Sequence, residues 1–237
     1  MSGRNLIVVA HPDDETLFMG GLILSRREFV WDVICTTDAD GDGRGDERWE
    51  EFQKACEVLG ANPLGFLGFP DVFDQRLNVS ELKQEIFEKL QGYDSVYTHG
   101  PLGEYGHPHH QDTSIAVHEA ALERNMQAWS VAYNSKPDDV VVLSKETYAV
   151  KLKTLVGIYG QETSRFLNFL NCSYCEAFSQ VEISEVRSLY DCLIAGRDFG
   201  NQLMPHHGML KDWVRNGTYQ SSVEAFFSHY FETSEND

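Results

Sequence analysis

The sequence predicts an α/β fold, with a mostly parallel sheet and helices on both faces. Three observations predict it. Short apolar or β-branched runs alternate with stretches of helical periodicity from residue 6 to residue 133. The first run ends abruptly in His11-Pro12-Asp13-Asp14-Glu15, where a helix begins. No linker, repeat or low-complexity segment interrupts the 237 residues. One domain over 1–237 is therefore the simplest organisation, with 181–237 a less regular helical extension.

Taken in order, Leu6 to Ala10 reads as a buried strand. Pro12 stops it and suits the first position of a helix, so Thr16 to about Glu28 is the next element. Val30 to Thr37 is a second strand, rich in β-branched residues. A loop from Asp38 to Asp46 follows. Helical periodicity then runs through Trp49, Phe52, Cys56 and Leu59 and stops at Gly60. Pro63 to Phe69 is a third strand. Ser80 caps a helix to about Leu90, and Asp94 to Thr98 is a fourth strand. Asp112 to Arg124 reads as a helix and Ala128 to Tyr133 as a strand. Lys145 to about Tyr159 is helical and Glu176 to Glu182 a last strand. Short helices are expected over 184–229, with a frayed polar tail from Glu232 to Asp237.

Net charge is −18, which disfavours nucleic acid, because phosphate recognition relies on Lys and Arg. It also disfavours anionic lipid, but admits a neutral sugar or a cationic amine. No run approaches the roughly 20 apolar residues of a membrane span. Met1-Ser2-Gly3-Arg4-Asn5 leads into a strand without a signal-peptide apolar region, so a soluble, cytoplasmic protein is expected. The five cysteines then read as buried thiols. Cys172-Ser-Tyr-Cys175 has metal-ligand spacing but lacks the second pair of a zinc knuckle. Asp38, Asp40, Asp42 and Gly43 imitate the start of a calcium loop, yet its twelfth position is Trp49. His206-His207 reads as a surface pair. The sequence admits a homo-oligomer without pointing to one.

Acidic residues at a helix start can be simple caps, since the helix dipole favours them by roughly 0.3–1 kcal/mol each. His11 ahead of them weakens that reading. Imidazole nitrogen and carboxylate oxygen are the ligand types of catalytic Zn²⁺, and His11 and Asp14 can face one point beyond the strand. A third ligand is then needed. The fourth strand runs into His99-Gly100-Pro101-Leu102-Gly103-Glu104-Tyr105-Gly106-His107-Pro108-His109-His110, with four of the nine histidines. If both strands are parallel, this cluster lies on the same sheet edge as His11 and Asp14.

His11-Pro12-Asp13-Asp14-Glu15, followed by Gly103-x-Tyr105-Gly106-His107-x-x-His110, resembles the zinc-dependent N-acetylsugar deacetylases of the PIG-L/LmbE type. Arg48-x-x-Glu51 with Ala55 and Leu59-Gly60, Lys151 with Gln161, and Glu176-Ala177-Phe178 resemble further motifs of that family. The resemblance spans roughly residues 5 to 180 and implies a Rossmann-like sheet. It implies that His11, Asp14 and His110 hold one Zn²⁺ or another divalent transition metal. By the same resemblance Asp13 is the general base, His107 an acid or oxyanion-stabilising group, and Tyr105 a contact to the substrate carbonyl. Arg48 and Asp71 are weaker candidates for substrate contact or site support.

Amide hydrolysis suits these residue types. It needs a nucleophile at neutral pH, a donor facing the developing oxyanion, and a proton for the leaving amine. The expected substrate is an N-acetylglucosamine-type sugar or its conjugate. One departure stands out: His109 occupies a position where the family commonly has Asp. An aspartate could orient His107 or raise its pKa, which a second histidine cannot do as an anion. Three other readings remain beside the deacetylase. A nucleotide-binding module lacks its Gly-rich turn here. An inactive metal-binding relative would not need Asp13. An amidase acting on a non-acetyl conjugate differs only in substrate.

Overall fold

The computed structural model describes residues 3–73, 75–162, 174–197 and 205–207. Its elements run β1 (Arg4–Val9), α1 (Asp14–Ser25), β2 (Val30–Thr37), α2 (Gly45–Leu59), β3 (Asn62–Phe69), α3 (Val79–Lys89) and β4 (Ser95–Thr98). Then come α4 (Pro108–Glu123), β5 (Gln127–Val131), β6 (Asp139–Val142), α5 (Lys145–Gly157), β7 (Cys175–Ser179) and α6 (Ile183–Ile194). The strands form one seven-stranded sheet in the order β3-β2-β1-β4-β5-β7-β6. β1 to β5 are mutually parallel, and β7 runs antiparallel to β5 and β6.

β1 is apolar on both sides of its pleat because both faces of the sheet are covered. Ile7 and Val9 pack with Met19, Leu22, Phe52, Leu59 and Leu155, so α1, α2 and α5 share one face. Leu6 and Val8 pack with Leu82, Ile86, Ala116 and Ala120 from α3 and α4 on the other. The Rossmann-like α/β expectation is met. β1 sits between β2 and β4, and the chain turns one way after β1 and the other way at β4. The crevice beyond the carboxyl ends of these two strands is where open α/β sheets bind ligands.

A buried ion pair ties the antiparallel edge to α1. Lys151 Nζ lies 2.5 Å from Glu176 Oε1, and the two Glu176 oxygens accept from Gly21 N and Leu22 N, both at 2.6 Å.

Several boundaries differ from the sequence reading. α3 is capped by Asn78, whose Oδ1 accepts from Glu81 N at 3.3 Å, two residues before the expected Ser80. α4 begins at Pro108 instead of Asp112, with Pro at its first position and His107 as its cap. β6 has no counterpart in the sequence reading. Glu176 to Glu182 divides into the end of β7 and a short connection into α6. His207 is buried, its Nδ1 2.8 Å from Glu185 Oε1, so it is not a surface residue. Cys35, Cys56 and Cys175 are buried free thiols, and Cys192 is buried. Cys172, most of the expected helices over 184–229 and the tail lie outside the described residues. Among the described residues no helix is long and apolar enough to cross a membrane.

Candidate active site

The loop after β1 and the loop after β4 meet at one point. Asp14, first residue of α1, turns Oδ2 toward three imidazoles: His11 Nδ1 at 3.4 Å, His99 Nε2 at 3.4 Å and His110 Nε2 at 3.3 Å. The same oxygen accepts from His11 N at 2.9 Å. Burial works against the Asp14 carboxylate. The flanking histidines outweigh it and hold its pKa well below the ordinary carboxylate range.

His99 and His110 look alike but are committed differently. Both turn Nδ1 to Glu104 Oε2, at 3.0 Å and 2.6 Å. Burial opposes a charge on His99 while Glu104 and Asp14 favour one, a balance that lifts its pKa to about 10. The Ala10 N–H nevertheless points at His99 Nε2 from 2.9 Å and needs a lone pair there. That contact keeps the His99 ring neutral and occupies its second nitrogen. His110 Nε2, by contrast, is buried with no hydrogen-bond partner. A buried nitrogen without a hydrogen-bond partner calls for an explanation, and a bound ion is one.

Among the described residues three sets of side chains could hold a metal ion: His11, His107 and His110; His11, Asp71 and His109; and Asp14, His99 and His110. The sequence-derived set of His11, Asp14 and His110 takes its members from the first and last. It uses the unpartnered nitrogen and leaves out the occupied one. Its two nitrogens and one carboxylate oxygen match the donors of catalytic zinc sites, so these residues fit the metal that the resemblance implies.

Glu104 is the residue that sequence reasoning missed. It is buried, and its two oxygens take His99, His110 and the Gly100 N–H at 2.7 Å. Burial raises its pKa, but the two imidazoles lower it to about 2. A carboxylate behind a metal-binding histidine fixes the ring's tautomer. The available signal was an acidic residue within a run of glycine and histidine. Gly103, just before it, has φ +69°, and a Cβ there would lie 2.6 Å from His107 O, so the turn requires glycine.

Asp13 sits at the N-cap of α1 with φ 112°, a strained backbone for a residue with a side chain. Its side chain makes no capping hydrogen bond. Instead Oδ2 accepts from Arg48 Nη2 at 3.2 Å, and the same nitrogen donates to Pro12 O at 2.9 Å. Glu15 Oε2 accepts from Asp13 N at 2.9 Å, and Tyr159 Oη donates to Glu15 Oε1 at 2.9 Å. The backbone is therefore braced from below. Burial and the charge of Asp14 push the Asp13 pKa well up, against the pull of Arg48. Arg48 is itself buried, which places it as a support for Asp13. Asp71 lies across the pocket, with Oδ1 3.2 Å from His11 Nε2 and Oδ2 3.8 Å from Arg48 Nη1.

His107 caps α4 with Nδ1, which accepts from His109 N at 3.2 Å. Its remaining proton is then on Nε2. Burial and the neighbouring His110 and His11 lower its pKa far below the usual histidine value, and the positive end of a helix acts in the same direction. Tyr105 is partly exposed and meets His107 edge-on, with ring centroids 5.9 Å apart. Asp13, Arg48, Asp71, Phe73, Tyr105 and His107 line a cavity of about 650 Å³ with His11 on its wall.

Residues 6–121 match the family model described as PIG-L: GlcNAc-PI de-N-acetylase. That stretch of the chain is thus similar to the PIG-L family domain. The matched stretch holds every residue of the centre described above except Tyr159. Over 153 residues the chain is 32% identical to 1D-myo-inositol 2-acetamido-2-deoxy-alpha-D-glucopyranoside deacetylase of Corynebacterium diphtheriae, covering 50% of this chain and 52% of that protein. Over 129 residues it is 29% identical to N-acetylglucosaminyl-phosphatidylinositol de-N-acetylase of Bos taurus, covering 51% of each. The chain thus spans about half the length of these curated relatives. The fold is shared with N,N'-diacetylchitobiose deacetylase from Pyrococcus horikoshii, with a TM-score of 0.62 at 21% identity over 74% of this chain and 82% of that one.

Proposed function

We propose that this protein is a PIG-L-type zinc-dependent hydrolase that removes the acetyl group from an N-acetylglucosamine-type amino sugar or its conjugate. The observation that carries the reading is the buried His110 Nε2, which has no hydrogen-bond partner and lies beside Asp14 Oδ2, the oxygen that also faces His11 on the wall of the pocket lined by Asp13. The relatives' names, each a deacetylase of an acetamido sugar, support the substrate class.

In this reading His11, Asp14 and His110 hold the metal. Bound zinc supplies a Lewis acid for the amide carbonyl and brings the pKa of water to about 7. Asp13 takes the proton of the attacking water and returns it to the departing amine. Arg48 and Glu15 hold Asp13 for that task, the first through its carboxylate and the second through its backbone N–H. His107, with Nδ1 committed to the helix cap, offers Nε2–H to the carbonyl oxygen as it becomes anionic. It therefore serves as an oxyanion donor in neutral form, not as the acid. Tyr105 and Asp71 stand at the wall where the sugar enters, placed to contact its polar groups.

The test is hydrolysis of a panel of N-acetylated amino sugars and conjugates by zinc-loaded protein, read as free amine and acetate, with chelator-treated protein as control. Zinc-dependent acetate release is the expected result. Release of a different acid from a non-acetyl amide would make the protein an amidase of the same chemistry. No release from any amide by protein holding one zinc per chain would refute the reading.

A further inference from the structure

His109, the residue that departs from the family pattern, is buried in the first turn of α4 and touches two separate parts of the site. Its Nε2 lies 3.2 Å from Val72 O and 3.0 Å from Gln75 O. Carbonyl oxygens only accept, so this nitrogen carries a ring proton. Nδ1 lies 3.2 Å from His11 Nε2 and 3.5 Å from Asp71 Oδ1; with one proton on the ring, it presents a lone pair to the nearer His11 nitrogen. His11 turns its other nitrogen, Nδ1, to Asp14. If His11 binds metal alongside Asp14 and His110, Nδ1 must be free and Nε2 must hold the proton. That N–H has two acceptors within reach, Asp71 Oδ1 at 3.2 Å and His109 Nδ1 at 3.2 Å.

We propose that His109 is a positioning residue for the metal ligand His11. It accepts a share of the His11 Nε2–H, and its own Nε2–H anchors it to the backbone of the loop after β3. The arrangement fixes the His11 tautomer in the form that frees Nδ1, and links that ligand to the loop bearing Phe73. Phe73 in turn packs edge-on against His107, with centroids 5.2 Å apart. An aspartate at position 109 could accept from His11. It could not donate to the two carbonyls, and it would set a second anion beside Asp71. The inference rests on the metal centre of the proposed function and adds His109 to it.

Three substitutions separate the two ends of His109. His109→Leu removes both. His109→Asn keeps an oxygen where Nδ1 stands, and His109→Gln keeps an N–H where Nε2 stands. Zinc affinity of each metal-free protein is measured by competition with a chromogenic chelator, with urea unfolding of the same samples. His109→Leu should lose about 10- to 100-fold in affinity, the range for a lost partner of a metal-binding histidine. His109→Asn should stay within about threefold of wild type, short of that range, and His109→Gln should fall with His109→Leu. Wild-type affinity in folded His109→Leu overturns the proposal, as do equal losses in His109→Asn and His109→Gln, which would mark a packing role. A wild-type protein that binds no zinc overturns this proposal and the metal centre together. The expected pattern of zinc affinities without acetate release supports His109 and refutes only the reaction.

Discussion

Glu104→Gln isolates the contribution of a carboxylate behind the proposed metal ligands. In the native site Glu104 Oε2 accepts from His99 Nδ1 and His110 Nδ1, and Oε1 accepts from Gly100 N. Three donors therefore converge on two oxygens. Glutamine has one oxygen, so in either orientation its NH₂ faces at least one of those donors in a buried site. Leaving a buried donor unsatisfied costs about 1–3 kcal/mol. The available escape for His110 is to move its proton to Nε2 and accept from the glutamine at Nδ1. That places the proton on the nitrogen now without a partner, and metal binding must then reverse the change. The expected loss in zinc affinity is about 10- to 100-fold, or roughly 1.4–2.7 kcal/mol. The assay is chelator competition on metal-free protein, paired with urea unfolding to show that the variant is folded. A folded Glu104→Gln protein with zinc affinity within about twofold of wild type would refute the argument that Glu104 sets the His110 tautomer, since the loss expected is about tenfold or more.

Asp13→Asn should keep zinc and lower turnover by about 10²–10⁴-fold, the usual range for a lost general base; full activity with the substrate panel would remove Asp13 from that role. Gly21→Ala should destabilise the fold by about 1–3 kcal/mol in urea, because a Cβ there would lie 2.3 Å from Leu143 Cδ2 and 2.8 Å from Glu176 Oε1; an unchanged unfolding midpoint would mean that Leu143 moves aside freely. His118 gives the fold a pH dependence. Burial lowers its pKa to about 4 from the ordinary 6.5, while the hydrogen bond from its Nδ1 to Ser114 O, 2.7 Å long, only partly offsets this. The unfolded chain therefore binds the proton first as pH falls. The contribution is fully present above pH 6.5 and is lost down to about pH 4, by on the order of 3 kcal/mol. Urea unfolding at both ends of that window, for wild type and His118→Gln, measures it; equal acid sensitivity of the two proteins would assign the effect elsewhere.

Much of this layout was legible from the sequence. β2 runs from Val30 to Thr37 as read, and β1, α2 and β3 fall within a residue or two of their expected bounds. They carry strong local signals: unbroken apolar runs, helical periodicity, and Gly60 at a left-handed helix end. The order of strands and helices determined the sheet, and the sheet determined that the loops after β1 and β4 share an edge. Those inferences need only local propensity and the rule that parallel strands are joined by helices across a face.

The misread start of α4 has a physical cause. Asp112 is a favoured capping residue, whereas the observed cap is an imidazole. Pro108 at the first helical position was the signal to follow. Moving the helix start by four residues places His109 and His110 on a rigid turn, and His109 away from the cap position held by His107.

What only tertiary structure decided is the division of labour among chemically identical residues. The sequence offers four histidines after β4 without distinguishing them. In the fold His99 is occupied by the Ala10 N–H, His107 by a helix cap and His109 by two loop carbonyls, while His110 alone of these keeps a buried nitrogen without a hydrogen-bond partner, facing Asp14. Glu104 likewise becomes significant only where two rings from different turns reach it. Hydrogen-bond commitments in the site join residues up to 144 positions apart. Local propensity fixes where a side chain leaves the backbone, but its free donors and acceptors are known only once every neighbour has been packed against it.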